Sequence, residues 1–223
     1  MENIMTAILF GSISTLAETS ELQRAAFNAA FAQHGLAWQW DRDDYRTMLA
    51  GNGGAARIAA FAATRGESVD ADAVHATKSA IFQQSLAAAL PRDGVVDTIT
   101  RAKAAGTKLG FVTTTSAENI AALFAALAPA VQRSDFDVVV TADDVTAPKP
   151  DPQAYRFALR TLNEEPTSCV AVEDNVGGAR SAASAGVRGV AFPNENTTEQ
   201  DFEGIERTDR LDFDTLIAAA SRR

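Results

Sequence analysis

Apolar residues along this chain follow two rhythms. Uninterrupted runs, TAILF (6–10), KLGFVT (108–113), DVVVT (137–141), CVAVED (169–174) and GVAF (189–192), alternate with stretches whose apolar positions recur at helical spacing. Runs that are apolar on both faces suit central strands of a parallel sheet covered by helices on each side. The first run extends back to Ile4 and Met5. Between Phe10 and Lys108 the rhythm is helical throughout, over a distance far greater than one crossover requires. Helices are expected over Glu18 to His34, Asp41 to Ala50, Gly54 to Arg65 and Val69 to Leu90, with Leu22, Ala26, Phe27, Ala30 and Phe31 sharing one face. The pattern predicts an α/β doubly wound parallel sheet over 1–16 and 87–223, with a helical cap over 17–86 inserted after the first strand.

The punctuation agrees. Asp151 and Pro152 provide an N-cap and a first helical position, Gly186 ends the helix in SAASAG, and Pro91-Arg92-Asp93-Gly94 marks the return to the sheet. In an open α/β sheet, ligands collect outside the carboxyl ends of the strands. The loops after Phe10, Val112, Thr141 and Glu173 are therefore where chemistry is expected.

Composition narrows the classes. Of 223 residues, 46% are hydrophobic and 22% charged, enough apolar surface for a sizeable core. The formal charge of −9 leaves no basic surplus for nucleic acid or an anionic membrane. Any phosphate must be met by local groups. Cys169 has no partner cysteine and reads as a small buried residue. The N-terminus lacks the basic flank and apolar stretch of a signal peptide, and no apolar run reaches membrane-spanning length, so a cytoplasmic location is expected. A monomer is plausible.

The first candidate loop, FGSISTLAETS, contains hydroxyls and no carboxylate before Glu18. Ser12 or Ser14 could attack an electrophile only with a base nearby, and neither His34 nor Gln23 is an evident one. His34 and His75 read as surface or packing residues of the helical segment, and Trp38, Trp40 and Tyr45 as its core.

A parallel sheet with a helical insert after strand one, together with VTTTS, APKPDP and VEDNVGGARSAASAG in that order, resembles the haloacid dehalogenase superfamily of phosphatases and phosphomutases. TLAETSELQRAAFNAAF and WQWDRDDYRTMLAGNGGAARI are similar to the CbbY branch, which resembles β-phosphoglucomutase and phosphoglycolate phosphatases and acts on sugar phosphates. In that superfamily the first strand ends in DxDGT, whose two aspartates are nucleophile and general acid/base. Here these positions are Gly11 and Ile13, with Ser14 in place of the glycine. Neither can form an aspartyl phosphate.

The resemblance implies roles for what remains. Thr113, Thr114, Lys149 and Ser12 would bind phosphate, helped by the backbone N–H groups of the Gly11 to Ser14 loop. Glu18, Gln23 and Arg57 would face substrate from the cap side, Gln23 standing where relatives commonly have histidine and Ala55 where they have lysine. Asp174 and Glu173 would hold Mg²⁺, weakly, since Gly11 supplies no charged ligand. The expectation is a phosphatase-family protein that lacks the standard aspartyl-phosphate activity and binds a small phosphorylated metabolite. Two alternatives remain: an active phosphatase using a serine or a metal-bound water, and a protein interaction module.

Overall fold

The computed structural model describes residues 5–49 and 53–221. Ile4 and Ala50, named above in the first strand and the second helix, lie outside them. A six-stranded parallel sheet has the order β3-β2-β1-β4-β5-β6, formed by β1 (Ala7–Phe10), β2 (Lys108–Val112), β3 (Val138–Val140), β4 (Cys169–Glu173), β5 (Arg188–Ala191) and β6 (Glu206–Arg207). The first five fall on the five apolar runs. The sixth, only two residues long and carrying charged side chains, has no apolar run to announce it; it exists by pairing with Val190 and Ala191 at the sheet edge.

Both faces of the sheet are covered. Ile8, Phe10, Leu109, Phe111, Val170 and Val172 point to one side, against α6 (Val95–Ala104), α7 (Ala117–Leu127) and α10 (Phe213–Ser221). Ala7, Leu9, Val112, Cys169 and Ala171 point to the other, against α8 (Gln153–Leu162) and α9 (Val176–Ser184). The alternation within runs of uniform polarity is what two-sided burial requires. Cys169 is buried. Helix α8 starts one residue later than expected: Pro152 is the flanking residue, and the Asp151 carboxylate still accepts the Gln153 N–H at 2.9 Å.

Between β1 and α6 lie a short turn α1 (Ile13–Leu16) and the helices α2 (Ser20–Gln33), α3 (Arg42–Met48), α4 (Gly54–Arg65) and α5 (Ala71–Ser85). The last is shorter than the apolar rhythm suggested and ends in a 3₁₀ turn, Leu86–Ala88, which leaves Leu90 75% exposed. Phe27, Phe31, Trp38, Trp40, Tyr45, Ile58 and Val74 give these helices a core of their own. Trp40 lies 4.7 Å from the Phe31 ring centroid and 4.8 Å from that of Phe27.

The insert meets the sheet domain at several places, among them α5 on α7, where Gln83 Nε2 donates to Asn119 Oδ1 at 3.0 Å. Ala17 and Pro91 form an isolated antiparallel bridge where the chain leaves and returns. Arg92 secures this crossing: its N–H donates to Leu16 O at 2.9 Å, and its guanidinium donates to Ser14 O, Phe192 O and Pro193 O while lying over the Phe192 ring. On the far side, α3 reaches the loop after β5. Arg42 donates to Asn196 Oδ1 at 2.9 Å and pairs with Glu195, and Arg46 pairs with Glu199 at 3.2 Å.

Candidate active-site cleft

A cleft of about 520 Å³ opens between the carboxyl ends of β1, β2 and β4 and the helical insert. The register explains which residues meet there: Phe10 is level with Phe111 and Val172, so Gly11 falls level with Val112 and Glu173, and one residue further on Ser12, Thr113 and Asp174 leave the sheet side by side. From the sheet side the cleft is lined by Ser12, Thr113, Thr114, Thr115, Asp174 and Asn194. From the insert it is lined by Gln23, Tyr45, Arg57, His75 and Lys78.

The loop after β1 is closed on itself. Ser12 caps α1, its Oγ accepting the Ser14 N–H at 3.1 Å while its own N–H donates to Thr15 Oγ1 at 3.2 Å. Gly11 N–H donates to Val172 O at 2.8 Å. The amides of Gly11, Ser12 and Ser14, expected to cradle a phosphate, thus already donate within the protein. Ser14 Oγ lies 2.8 Å from Thr19 Oγ1 and is buried. Ser12 Oγ donates to Asp174 Oδ1 at 2.6 Å, a carboxylate partner for Ser12 that the order of residues along the chain did not reveal.

Asp174 is 3% exposed and enclosed by neutral donors. Oδ1 also accepts from Asn175 Nδ2 at 2.9 Å, and Oδ2 accepts from Asn194 Nδ2 at 2.6 Å. Asn194 belongs to the loop PNENTT, where Thr197 Oγ1 donates to Asp174 O at 2.5 Å.

Glu173 and Lys149 do not line the cleft; they lie beneath it. Lys149 Nζ donates to Glu173 Oε1 at 2.6 Å and to Val112 O at 2.7 Å, and Tyr155 OH donates to the same Oε1 at 2.6 Å. All three side chains are buried. Burial pushes the Glu173 carboxyl above its ordinary range, against the pull of Lys149; burial, with Glu173 beside it, pushes the Tyr155 phenol well up. Among the described residues, buried Glu173 Oε2 has no hydrogen-bond partner.

The Glu173 carboxyl packs directly on the Cα atoms of Gly11 and Gly178, so a Cβ on either glycine would fall far inside van der Waals distance of it. The side chain of residue 173 therefore occupies the volume into which any side chain at position 11 would project.

The superfamily implies Mg²⁺ here, and the residues present do not fit it. Mg²⁺ takes a near-octahedral shell of oxygens in which carboxylates carry the charge. Position 11 supplies none, Ile13 supplies none, Asp174 is engaged by Ser12, Asn175 and Asn194, and Glu173 is turned to Lys149 and Tyr155. Among the described residues no group of three or more His, Cys, Asp or Glu side chains is placed to hold a metal ion.

On the insert side, Lys78 is 4% exposed and donates to Gln23 Oε1 at 3.1 Å. Its ammonium lies 4.8 Å from the Phe27 ring and 4.7 Å from that of Phe82. Burial, with the Arg57 charge adding to it, pulls the pKa down to about 7. Arg57 donates to Met48 O at 3.1 Å and lies over the Phe27 and Tyr45 rings. Burial holds its guanidinium below the usual arginine range, and raises the Tyr45 phenol to about 12. His75 packs its ring on Gly54, whose missing side chain makes the space, and its pKa is lowered by burial and then by the Lys78 and Arg57 charges. Glu18 stands apart from the cleft at the crossing, 3.5 Å from Arg92, its carboxyl raised by burial. His34 bonds Thr77 at the surface of the insert.

Of the residues singled out in the sequence, Ser12, Gln23, Arg57, Thr113, Thr114 and Asp174 thus share the cleft, while Lys149, Glu173 and Glu18 do not line it. Sequence reasoning passed over Lys78, Asn194 and Tyr155, and read His75, which lines the cleft, as a surface or packing residue. A signal existed for the first: Val74, Lys78 and Phe82 are spaced four apart on the buried stripe of α5, a lysine where the helix pattern calls for an apolar side chain.

The architecture and the order of loops around this cleft are those of a haloacid dehalogenase-like hydrolase, and residues 5–186 match that family. The chain belongs to it. It is 41% identical over 210 residues to the protein CbbY of Cereibacter sphaeroides, covering 92% of this chain and 91% of that one. The crystal structure of CbbY from Rhodobacter sphaeroides in complex with phosphate superposes with a TM-score of 0.85 at 40% identity, over 93% of this chain and 95% of that one. A variant of that protein in complex with xylulose-(1,5)-bisphosphate superposes equally, with a TM-score of 0.85 at 39% identity and the same coverage. No helix among the described residues is long and apolar enough to cross a membrane.

Proposed function

We propose that this chain is a CbbY-like sugar-phosphate phosphatase homologue that binds a small phosphorylated metabolite in its cleft and has left the aspartyl-phosphate route. The observation that carries this reading is the seat of Glu173. A nucleophilic carboxylate at position 11 requires free volume in front of the β1 terminus, and here that volume holds a side chain locked by Lys149 and Tyr155. Ile13 offers no proton to a leaving group. Ligand binding does not need these groups. Thr113 to Ser116 lead into the N-terminus of α7, an eleven-residue helix whose orphan N–H groups and dipole favour an anion, and Arg57 and Lys78 bring positive charge from the insert, which then acts as a cap. A phosphorylated sugar suits a cleft with hydroxyls on one wall and cations on the other.

The test is a pair of measurements on the purified protein. Inorganic phosphate and xylulose bisphosphate should each raise the melting temperature, as ligand binding to the native state must. Phosphate release from a panel of sugar phosphates with Mg²⁺ should stay at background. Failure of both ligands to stabilise the protein would end the binding reading. Mg²⁺-dependent turnover would end the inactive one.

A second reading is favoured by one contact. Ser12 Oγ donates to Asp174 Oδ1 at 2.6 Å and both line the cleft, so a serine nucleophile with a carboxylate partner is geometrically available. It is the weaker reading because two asparagine amides already donate to the Asp174 carboxylate, the group that would have to take the serine proton. Turnover abolished by Ser12→Ala would establish it.

A further inference from the structure

The chain has four lysines, and their partners divide them sharply. Lys103 pairs with Asp135, Lys108 with Glu164 and Lys149 with Glu173. Lys78 has no carboxylate within ion-pair distance among the described residues. It is buried, yet it lines the cleft; it sits between two aromatic rings; and it donates a hydrogen bond to a neutral amide oxygen. An amine placed this way is costly to keep as a structural cation, since the two ring faces offset the burial of its charge only in part and no carboxylate among the described residues faces it.

We propose that Lys78 is an imine-forming lysine, which captures the carbonyl carbon of an aldehyde or ketone ligand bearing a phosphate. The inference rests on the phosphorylated-ligand reading above and adds the carbonyl to it. The step is balanced without a further reagent. The Nζ lone pair attacks the carbonyl carbon, a C–N bond forms, and the C=O π pair passes to oxygen. Both amine hydrogens leave with that oxygen as water and a C=N bond remains. Gln23 Oε1 accepts one N–H and leaves the lone pair free. The residues around Nζ favour the neutral nucleophile: Arg57 on α4 and His75 on α5 are cationic or neutral, Tyr45 on α3 stays protonated, Gln23 on α2 is uncharged, and the cleft's carboxylate, Asp174, is on the opposite wall and engaged by its own donors. With a pKa of about 7, about half of Lys78 is the free amine at neutral pH, against less than about one part in a thousand for an ordinary lysine.

The experiment is reductive trapping. The wild-type protein is treated at pH 7 with glycolaldehyde phosphate and cyanoborohydride, and adducts are located by peptide mass mapping. The α-amino group, which also reacts at neutral pH, is read as a separate peptide. Lys78 should be labelled about tenfold or more faster than Lys103 and Lys108, with a half-maximal rate near pH 7, and Arg57→Gln should move that midpoint upward. Lys78→Met should lose the adduct. Because the map of the wild-type protein ranks all four lysines in one sample, the result does not depend on that variant folding. Labelling of Lys78 no faster than of Lys103 and Lys108 overturns the inference. The two readings fail separately: inorganic phosphate that stabilises the protein while Lys78 stays unlabelled removes the imine and keeps the phosphate site, whereas Lys78 labelled equally by glycolaldehyde and its phosphate, with no stabilisation by phosphate, keeps the reactive lysine and removes the phosphate site.

Discussion

The Glu173 carboxyl rests on the Cα of Gly11, in the space a side chain at that position would fill. The two residues are coupled through volume. Gly11→Ala should destabilise the protein by about 1–3 kcal/mol, the range for overpacking a filled interior. Glu173→Ala by itself leaves Lys149 and Tyr155 without their acceptor, so it is destabilising too. Combined, the substitutions should be less harmful than their sum, because each removes the other's clash or void. Urea denaturation of the four species measures the coupling, and strict additivity would show that Glu173 leaves its seat easily.

The same relationship bears on restoring activity. Gly11→Asp with Ile13→Asp places two carboxylates at the end of β1, yet the side chain introduced at position 11 meets Glu173 first. The double variant should be poorly folded without metal and become more stable when Mg²⁺ is added, since the ion pairs with carboxylates that otherwise repel. Turnover, if regained, should need Mg²⁺ to draw Glu173 away from Lys149. Calorimetric Mg²⁺ titration of wild type and variant checks this: wild type should bind weakly and Asp174→Asn should change that little.

Lys149 serves the buried carboxylate in this structure. Lys149→Met should cost about 3–5 kcal/mol, the loss seen when one member of a buried ion pair is removed. Tyr155→Phe, which deletes one hydrogen bond to the same oxygen, should cost about 1–3 kcal/mol. Chemical denaturation gives both numbers. A Lys149→Met cost below about 1 kcal/mol would mean that Glu173 is protonated and indifferent to its partner.

Lys78 makes stability depend on pH above neutrality. Its folded pKa, about 7, lies below the unfolded 10.5. Between those values the unfolded chain binds more protons, so stability must rise with pH. The penalty is fully present below about pH 7 and is relieved as pH increases. From pH 7 to 8.5 the gain from this group should be about 2 kcal/mol. Cys169, raised by burial to about 12, works in the opposite direction above pH 9, which sets the upper end of the window. Lys78→Met should be more stable than wild type at pH 7 and lack the rise. Parallel stability curves for the two proteins across this window would contradict the burial of an uncompensated amine.

The ion pairs of Arg42 and Arg46 with Glu195 and Glu199 are exposed or partly exposed. Exposed pairs contribute about 0–1 kcal/mol each, so Arg42→Ala with Arg46→Ala should scarcely alter global stability. They do tie α3 to the loop that carries Asn194, which holds Asp174. Hydrogen exchange in residues 42–48 and 194–199 should therefore quicken in the double variant and in high salt, while exchange in β1 and β4 stays slow.

What the sequence determined by itself is the part governed by local rules. Two-sided apolar runs specified five strands because a parallel strand covered on both faces favours apolar side chains along its length, and the helical rhythm specified an insert between β1 and β2 with its own aromatic core. That Gly11 and Ile13 supply no carboxylate was likewise plain, as was the burial of Cys169. The two-residue β6 was not, because its formation depends on an edge partner and not on its own residues. Neither was the division of the acidic pair. Glu173 and Asp174 are adjacent in the chain, but successive residues at a strand end point to opposite sides. One carboxylate therefore drops beneath the cleft to Lys149 and Tyr155, and the other faces it among Ser12, Asn175 and Asn194. The order of motifs placed Lys149 at a phosphate; only the packed structure, through the empty volume at Gly11, turned it to Glu173 and left Lys78, contributed from a distant helix, as the lysine that lines the cleft.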